Sequence, residues 1–406
     1  MKIVCLNSLL ATDGVTFYRA IQPLRYLESK GHTVIWATNE DSERMADVCK
    51  NADIIYLATP GGIKTLELLA ELSKQSLIEQ TMLSYGIPKE EMSSNGLSTH
   101  KLHIVVDFDD DIFEINPHNS AYLLRGRKEV VLRDNKNEII RNKAGKPSYM
   151  WKSGREYSLL GGLNKKFDIG LNKERIKSQI EMLRLSDLLL TPSKVIERRL
   201  KRFMISGTTY LRPNAIDAGA FTNEDKPKDK VRLLWTLSDS HYFDWTGLYP
   251  AIGRMMKKYP NLELVTVGAK FIAANRAIPL SRWTHHGWVN VNEYGKFLSG
   301  LGCNIGIAHV NKDNFNDKKS PLKWEEYSMM GMATIASDFL YGMYIPDGCG
   351  LVYSNVEEFE RAISDACEGK INLQEVGHKA FEYVSSNYEL KVVGDALEKR
   401  LEDLIK

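Results

Sequence analysis

The feature that most constrains this chain is a pattern of short β-rich runs separated by helical stretches, and the pattern occurs twice. The first series has apolar runs at 2–6, 33–37, 53–58 and 103–108, and the second extends from Arg232 to Cys367. Strands and helices that alternate in this way pack as a parallel sheet with helices on both faces. The sequence therefore predicts two Rossmann-like, doubly wound α/β domains.

The two series meet near residues 213–230, where the run Glu224 to Lys230 has the charged composition of a linker. We place the N-terminal domain at 1–212 and the C-terminal domain at 213–388. We expect a final helix at 389–406 to pack back on the N-terminal domain. Open α/β sheets bind ligands at the carboxyl ends of their strands. Two such domains facing each other therefore predict a ligand-binding cleft between them.

Residues 120–170 interrupt the first series, because they are rich in Lys, Arg, Asn and Gly rather than in regularly spaced apolar runs. The stretch from Arg133 to Glu138 has the composition of a hairpin tip between two short strands. We therefore predict a basic insertion in the N-terminal domain that contains a hairpin.

Length and composition exclude several classes of protein. The 406 residues are enough for two cores, and the formal net charge of +2 is too small to imply a polyanionic partner for the whole chain. The five cysteines show neither paired nor metal-ligand spacing, which predicts a reduced, cytoplasmic chain. No apolar run approaches the ~20 residues that span a bilayer, and the first residues resemble a strand rather than a signal peptide.

The segment from Phe315 to Asp338 carries the most chemical information. Pro321 favours the start of a helix with Ser320 as its N-cap, and the free amides of such a helix end attract an anion. Lys319 and Lys323 add positive charge there, which predicts a diphosphate site. Glu326 lies on the same helix face as Lys323, and its carboxylate can accept hydrogen bonds from both hydroxyls of a ribose. A capped surface helix with solvated side chains is the alternative that composition leaves open.

This segment resembles the donor-binding signature of family 4-like GT-B glycosyltransferases, in particular those of bacteriophages. Glu326 falls on the second glutamate of the family's Glu-x7-Glu motif, and Lys318 stands where the first would be. The stretch from Gly14 to Arg19 resembles the loop of these enzymes that approaches the donor phosphates. The stretch 235–244 resembles the first strand and loop of their C-terminal domain. A more distant resemblance links the chain to phage DNA β-glucosyltransferases.

The resemblance implies a two-domain GT-B enzyme that transfers a hexosyl or pentosyl group from a nucleotide sugar, expected to be a UDP-sugar, to an acceptor hydroxyl. The donor-binding residues that it implies are Gly14, Arg19, Ser238, Ser240, His241, Lys319, Ser320, Lys323 and Glu326. Basic side chains and helix amides would neutralise the diphosphate, so the enzyme would need no divalent metal and would have no metal site. A magnesium site in the acidic run at 107–111 is the alternative, because carboxylates suit hard cations.

Asp109 and Asp110 are the candidate catalytic residues. They follow an N-terminal strand, in a run that resembles the acidic loop of these enzymes, and one of them is expected to orient or deprotonate the acceptor hydroxyl. The stereochemical outcome stays open at this point. Family 4-like enzymes retain the configuration of the sugar, whereas phage DNA β-glucosyltransferases invert it, and a true general base would favour inversion.

The acceptor is indicated by residues 124–177, where basic residues outnumber acidic ones and three aromatic residues are interleaved. This pattern suits a phosphate backbone and stacked bases. The predicted acceptor-binding residues are Arg141, Lys143, Lys146, Trp151 and Lys152. Together with the phage-like resemblance, the pattern predicts a hydroxymethylated base in DNA as acceptor and, for a phage protein, the host cytoplasm as location. The alternative acceptors are a polysaccharide precursor or another small molecule. The alternative for the insertion is a basic hairpin that binds no ligand, and the alternative for the whole chain is a catalytically silent nucleotide-sugar binding protein.

Overall fold

The computed structural model describes residues 1–6, 14–37, 48–49, 52–58, 63–84, 101–158, 164–271 and 277–406. Within these ranges it contains two parallel sheets of six strands each, which confirms the predicted pair of doubly wound α/β domains. Two further sheets of two antiparallel strands each lie in the insertion. None of the helices in the described ranges is long and apolar enough to span a membrane.

The N-terminal half contains both a parallel sheet and the small strands of the insertion. Its strands are β1 (Lys2–Leu6), β2 (Thr33–Ala37), β3 (Ile54–Ala58), β4 (His103–Asp107), β5 (Val130–Val131), β6 (Tyr149–Trp151), β7 (Glu156–Ser158), β8 (Asn164–Lys166), β9 (Leu188–Thr191) and β10 (Thr208–Leu211). The parallel sheet has the order β10-β9-β4-β3-β1-β2. The inner strands β3 and β4 are buried along their whole length, whereas the edge strand β2 is partly exposed.

Helices cover both faces of this sheet. They are α1 (Gly14–Thr16), α2 (Gln22–Ser29), α3 (Ile63–Ser84), α4 (Tyr122–Arg125), α5 (Ile169–Leu185) and α6 (Lys194–Lys201). One turn of π-helix, Phe17–Ile21, joins α1 to α2, and all five of its residues are buried. Helix α5 begins at the N-cap Asp168, whose carboxylate accepts a hydrogen bond from the amide of Leu171 at 3.0 Å.

The C-terminal sheet has the strand order β13-β12-β11-β14-β15-β16. Its strands are β11 (Val231–Leu237), β12 (Leu262–Gly268), β13 (Trp283–His286), β14 (Ile305–Ala308), β15 (Ala333–Ser337) and β16 (Leu351–Tyr353). The helices of this half are α7 (Tyr242–Lys258), α8 (Val291–Ser299), α9 (Leu322–Met329), α10 (Asp338–Tyr341), α11 (Val356–Cys367) and α12 (Leu373–Asn387). A last helix, α13 (Leu390–Ile405), follows them.

Helix α13 packs against the N-terminal sheet rather than against its own. Leu397 and Leu401 are fully buried in the same core cluster as Val105 of β4. The Tyr26 hydroxyl of α2 donates to Asp395 at 2.6 Å, and Lys30 pairs with Glu398 at 2.5 Å. The chain thus returns to its first domain at its end.

The chain crosses between the two domains at two adjacent segments. The Ile216 amide donates to the carbonyl of Tyr388 at 2.9 Å, and the Leu390 amide donates to the carbonyl of Ile216 at 2.8 Å. These two hydrogen bonds form a short parallel bridge between the outgoing and returning segments. We refer to residues 212–216 and 387–390 together as the hinge.

The insertion has its own small core, formed by Tyr122, Leu123, Trp151 and Phe167. The predicted hairpin tip forms: the amide of Asp134 donates to the carbonyl of Glu138 at 2.9 Å, and Asn137 has a φ of 66°. Residues 159–163 of the predicted insertion lie outside the described ranges.

Candidate functional site

The first polar cluster of the site lies at the carboxyl ends of the C-terminal strands, where open α/β sheets bind ligands. Ser238 follows β11 directly, and its hydroxyl lies 2.7 Å from that of Ser240. From the start of α9, the Lys323 ammonium donates to the carbonyl of Thr236 at 2.5 Å. The structure therefore brings these three predicted donor-binding residues together at one edge of the sheet.

His241 is oriented by a carboxylate that the sequence analysis did not single out. Its Nδ1 lies 2.8 Å from Asp244, which in turn accepts from the amide of Asn311 at 2.8 Å. An ionised carboxylate only accepts hydrogen bonds, so Nδ1 carries the proton and Nε2 can face a ligand. Burial, and then the charge of Lys323, lower the pKa of His241 to about 3. The imidazole is therefore neutral at physiological pH in this arrangement.

Lys323 is buried at the start of α9, close to the ammonium group of Lys319. Burial lowers the pKa of Lys323, and the nearby Lys319 ammonium lowers it further, against the opposing effect of Glu326. The Lys319 ammonium lies 5.1 Å from the ring centre of Phe315. Two neighbouring ammonium groups that repel each other are stabilised by a bound anion, and this end of the site is therefore suited to a phosphate.

Glu326, the predicted ribose contact, is buried and already has a partner from the other domain. The hydroxyl of Tyr18, in the π-helical turn, donates to its Oε1 at 2.7 Å. Burial raises the pKa of Glu326, although the Tyr18 hydrogen bond and Lys323 oppose this shift. A ribose on Glu326 must therefore displace the Tyr18 hydroxyl or share the carboxylate with it.

The start of α9 differs from the prediction. Pro321 occupies the N-cap position and the helix begins at Leu322, so Ser320 is not the cap. The physical reason is the hinge, because the Asn214 carboxamide donates to the Ser320 hydroxyl at 2.9 Å and holds it away from the helix amides. The first amides of α9 still lack partners within the helix, as in every α-helix.

Lys318 occupies the position of the missing first glutamate and connects the two domains. It is 5% exposed, and its ammonium lies 2.9 Å from Asp317, 3.5 Å from Glu114 and 3.7 Å from Asp111. The last two carboxylates belong to the loop after β4. The Lys318 ammonium thus forms ion pairs between the two domains.

Arg19 does not lie where a donor phosphate could use it, and this corrects the prediction. Its Nε and Nη2 donate to Asp107 at 3.0 and 2.6 Å, and its Nη1 donates to the carbonyl of Arg212 at 2.6 Å. Arg212 and the Tyr56 hydroxyl contact the same carboxylate at 2.5 and 2.6 Å. Because Arg19 is 2% exposed, its guanidinium is a structural group in this arrangement.

The other acidic residues of the loop differ sharply from one another. Asp110 is partly exposed and lies 3.5 Å from Arg125, whereas Asp111 pairs with Arg199 at 2.6 Å. Oδ1 of Asp109 is buried and has no hydrogen-bond partner among the described residues. Burial raises the pKa of Asp109 to about 7, with Arg19 opposing the shift and Asp110 adding to it. Of the two candidate catalytic residues, Asp109 therefore has the properties of a general base.

The geometry of this loop does not favour the alternative of a magnesium site. Asp107 and Asp111, the two ends of the run, are each engaged by arginine. Among the described residues, the grouping of ligand atoms close enough for a metal is His32, Glu398 and Glu402, outside the loop. Gly14, the remaining donor prediction, is exposed at the start of α1, and a Cβ there would meet nothing within 4 Å.

The insertion places its predicted acceptor residues differently. Arg141, Lys143, Lys146 and Lys152 are exposed. Trp151 is 8% exposed, donates from its indole N–H to the carbonyl of Pro117 at 2.6 Å and packs in the core of the insertion. Its ring is therefore not exposed for stacking on a base in this arrangement.

A second hairpin turn, which the sequence analysis missed, repeats the first one eight residues later. Arg133 donates to the carbonyl of Asn137 at 2.7 Å, and Arg141 donates to that of Gly145 at 2.9 Å. Asn137 and Gly145 have φ values of 66° and 72°, which only Gly and Asn adopt readily. The repeat of Arg-Asp/Asn with Asn or Gly four residues after the arginine is the signal that could have revealed this turn.

The base of the insertion touches the C-terminal domain. The rings of His118 and Phe243 are stacked, with centres 4.9 Å apart, and the Asn116 carboxamide donates to Asp313 at 2.8 Å. Asn116, His118 and the acidic loop precede the insertion without interruption. The exposed basic residues are thus carried by a segment attached to the mouth of the cleft.

Comparison with known proteins gives structural matches only. No protein-family model matches the chain, and no curated protein matches it. Among solved structures, Anabaena Alr3699/HepE in complex with UDP-glucose has a TM-score of 0.60 at 12% identity, over 99% of this chain and 100% of that one. An alpha-glucosyltransferase in complex with UDP-glucose and DNA containing an abasic site has a TM-score of 0.58 at 12% identity, over 99% of each chain.

An alpha-glucosyltransferase in complex with UDP and a 13-mer DNA containing a HMU base has a TM-score of 0.58 at 12% identity. That match covers 100% of this chain and 99% of the other. At identities this low, the structural matches establish the fold alone and leave the family assignment open. With two Rossmann-like domains facing each other across a cleft, this chain has the GT-B fold of glycosyltransferases.

Proposed function

We propose that this protein is a glycosyltransferase that binds a nucleotide sugar in its C-terminal domain and transfers the sugar to an acceptor hydroxyl. The observation that carries the proposal is the convergence of Lys319, Lys323 and the His241–Asp244 pair at one strand edge. From the other domain, Asp109 lies close enough to α9 for its charge to act on Glu325. The resemblance to family 4-like enzymes supports a UDP-sugar as donor, and so do the UDP complexes of the two structural neighbours.

The donor diphosphate would lie against the two lysines and the first amides of α9, with the Ser238 and Ser240 hydroxyls beside it. Departure of the nucleotide leaves negative charge on the diphosphate, and preorganised donors at that position stabilise the transition state. As the anion offsets the lysine charges, His241 can take up a proton and donate from Nε2. No step of this arrangement requires a divalent metal.

Glu326 is proposed to bind the ribose, and its replacement tests the donor site. A charged acceptor contributes ~1.5–3 kcal/mol for each hydrogen bond, so Glu326→Gln should weaken UDP binding about tenfold or more. Isothermal titration calorimetry with UDP and UDP-glucose measures this effect. Glu357→Gln, the same change at an exposed position on α11, is the matched control and should leave affinity unchanged. Equal affinity in all three proteins would exclude the ribose assignment.

Asp109 is proposed to deprotonate or orient the acceptor hydroxyl. A base is most effective when its pKa lies near the working pH, and the pKa of Asp109 is raised to about 7 by burial. Such a base favours inversion of the sugar, whereas the family 4-like resemblance favours retention. The anomeric configuration of the first product, measured by NMR, distinguishes the two.

The acceptor is proposed to be a hydroxymethylated base in DNA. Residues 124–177 contain fifteen basic and six acidic residues, and the exposed ones lie on a segment attached to the mouth of the cleft. Neutralising phosphates releases counterions and makes binding fall steeply with salt. Location in the cytoplasm, where such DNA would be met, is part of the same proposal.

Charge reversal in the insertion tests this acceptor. Replacing Arg141, Lys143, Lys146 and Lys152 by Glu should abolish DNA binding and leave UDP binding intact. The matched control reverses four exposed lysines of the C-terminal half, Lys257, Lys258, Lys370 and Lys379. If the protein does not bind hydroxymethylated DNA but transfers sugar to a polysaccharide precursor or another small molecule, that molecule is the acceptor instead.

A further inference from the structure

A cavity of about 250 Å³ lies at the hinge, beside the proposed donor site. Pro192, which follows β9, and Leu211 of β10 form its wall on the N-terminal side. Pro213 and Asn214 of the hinge and Glu325 of α9 form the wall towards the C-terminal domain. The cavity therefore has walls from both domains and from the segment that joins them.

Glu325 is the unusual group in this wall. It is fully buried, and neither carboxylate oxygen accepts a hydrogen bond of normal geometry from any described residue. Burial raises the pKa of Glu325 well above its ordinary range, and the charges of Glu326 and Asp109 add to this shift. Asn214 and Arg19 oppose it but do not compensate. A buried carboxylate without a partner is costly unless a ligand supplies one.

Three tyrosines also belong to the walls of the cavity. Tyr344, Tyr383 and Tyr388 line it, and the rings of the last two have centres 6.3 Å apart. Burial and then the charge of Glu325 raise the pKa of Tyr388, so the carboxylate lies close to that phenol. Tyr383 is 36% exposed, which places the opening of the cavity beside its ring.

The chemical character of these walls is that of a cation site. Among the described residues that line the cavity, none is Lys, Arg or His. Glu325 can provide the opposite charge once a bound cation stabilises its ionised form, and aromatic faces attract ammonium groups within about 6 Å of the ring centre. Ser320 and Asn387 also line the cavity, and their side-chain oxygens can accept hydrogen bonds from an ammonium group. A single carboxyl group beside tyrosines and prolines suits an organic cation better than a strongly hydrated metal ion, which prefers a cage of oxygen atoms.

We propose that the hinge cavity binds a small organic cation with an ammonium group, paired with Glu325 and enclosed by the three tyrosines. The cavity adjoins the proposed donor site, because Ser320 and Pro321 at the start of α9 also line it, but its pairing with Glu325 does not depend on sugar transfer. Because its walls belong to both domains, the bound cation holds them in this arrangement.

Choline is a suitable probe, since 3,3-dimethyl-1-butanol has the same shape without the charge. Calorimetry in the absence of nucleotide, at constant ionic strength in KCl, should show saturable binding of one choline per chain. The uncharged analogue should bind at least tenfold more weakly, a difference of about 1.4 kcal/mol. Equal binding of both compounds, or no binding of choline above the KCl background, would overturn the proposal.

Two variants assign the binding to this cavity. Glu325→Gln should weaken choline binding at least tenfold and should fold normally, because it removes a buried charge that has no partner. Tyr383→Ala, at the exposed opening, should weaken it severalfold, whereas Glu357→Gln should not change it. Wild-type affinity in both cavity variants would contradict the assignment. UDP binding, measured separately, reports on the donor site and can fail without affecting this result.

Discussion

Replacement of Asp107 by Asn should destabilise the N-terminal domain strongly, although the change is nearly isosteric. The carboxylate accepts hydrogen bonds from Arg19 at 2.6 and 3.0 Å, from Arg212 at 2.5 Å and from Tyr56 at 2.6 Å. The two guanidinium groups are 2% and 0% exposed. With Asn in this position, both cations stay buried and lose their counter-charge.

The size of the effect follows from this burial. Removing one partner of a buried ion pair costs ~3–5 kcal/mol, because the remaining charge is left without compensation. Asp110 provides the internal comparison, since its side chain is partly exposed and lies 3.5 Å from Arg125. Exposed pairs of this kind contribute ~0–1 kcal/mol. We therefore expect Asp107→Asn to cost several times more than Asp110→Asn.

Urea unfolding followed by circular dichroism measures both variants. With an m-value of about 2 kcal/mol/M, a loss of about 4 kcal/mol moves the midpoint of the N-terminal domain down by roughly 2 M. Burial opposes ionisation of Asp107, but Arg19 and Arg212 outweigh it and hold its pKa below the ordinary value. The stabilisation is therefore present above about pH 4 and lost below it. Equal midpoints for the two variants would refute the reasoning.

Three further predictions concern the cleft. Asp109→Asn should remove most sugar transfer without changing donor affinity, whereas Asp110→Asn should stay active. The wild-type transfer rate should rise through about pH 7 as the Asp109 carboxyl loses its proton. Full activity of both variants would contradict the assignment of Asp109 as the base. Tyr18→Phe should tighten UDP binding severalfold in calorimetry, because no phenol then competes for Glu326. Weaker binding would instead show that the Tyr18 hydroxyl contacts the nucleotide. Lys318→Ala should increase the radius of gyration in small-angle scattering, because it removes the ion pairs of Lys318 with Asp111 and Glu114 of the other domain, and an unchanged profile would show that these pairs do not hold the domains together.

The fold could be predicted from the sequence because its signals are local and repeated. Each strand is an apolar run bounded by polar residues, and helices separate the runs, so the pattern defines a doubly wound sheet without knowledge of contacts. The strand β13 is an exception, because it is not an apolar run that the sequence pattern reveals. Its residues Trp283 to His286 are partly exposed at the edge of the sheet, and the paired histidines have the composition of a loop.

The site was harder to predict because its roles depend on burial and on distant partners. Asp107, Asp109, Asp110 and Asp111 form one acidic run in the sequence, but the structure gives each a different environment. Arg212, which engages Asp107, lies 105 positions further along the chain. Similarly, Asn214 accounts for the misplaced cap at Ser320. These contacts join residues that are more than 100 positions apart, so no local sequence pattern could predict them.

His241 and Asp244 show what a closer interpretation of spacing could have found. A histidine and an aspartate three residues apart at the start of a helix lie on the same face, which makes their hydrogen bond predictable. Trp151 shows the opposite case, because an aromatic residue among lysines fits both a stacking platform and a small core. Only the burial of its ring decides between them.

Release of UDP from UDP-sugars by the purified protein tests the central claim most directly. Many glycosyltransferases that hold a donor against preorganised charges hydrolyse it slowly without acceptor, so we expect saturable UDP release with at least one common UDP-sugar. The double variant Lys319→Ala, Lys323→Ala should lose this activity while remaining folded, because both side chains lie at the proposed diphosphate site. Binding of UDP-sugars without any turnover would instead identify a catalytically silent binding protein. Absence of both binding and turnover, or activity that survives in the double variant, would contradict the account.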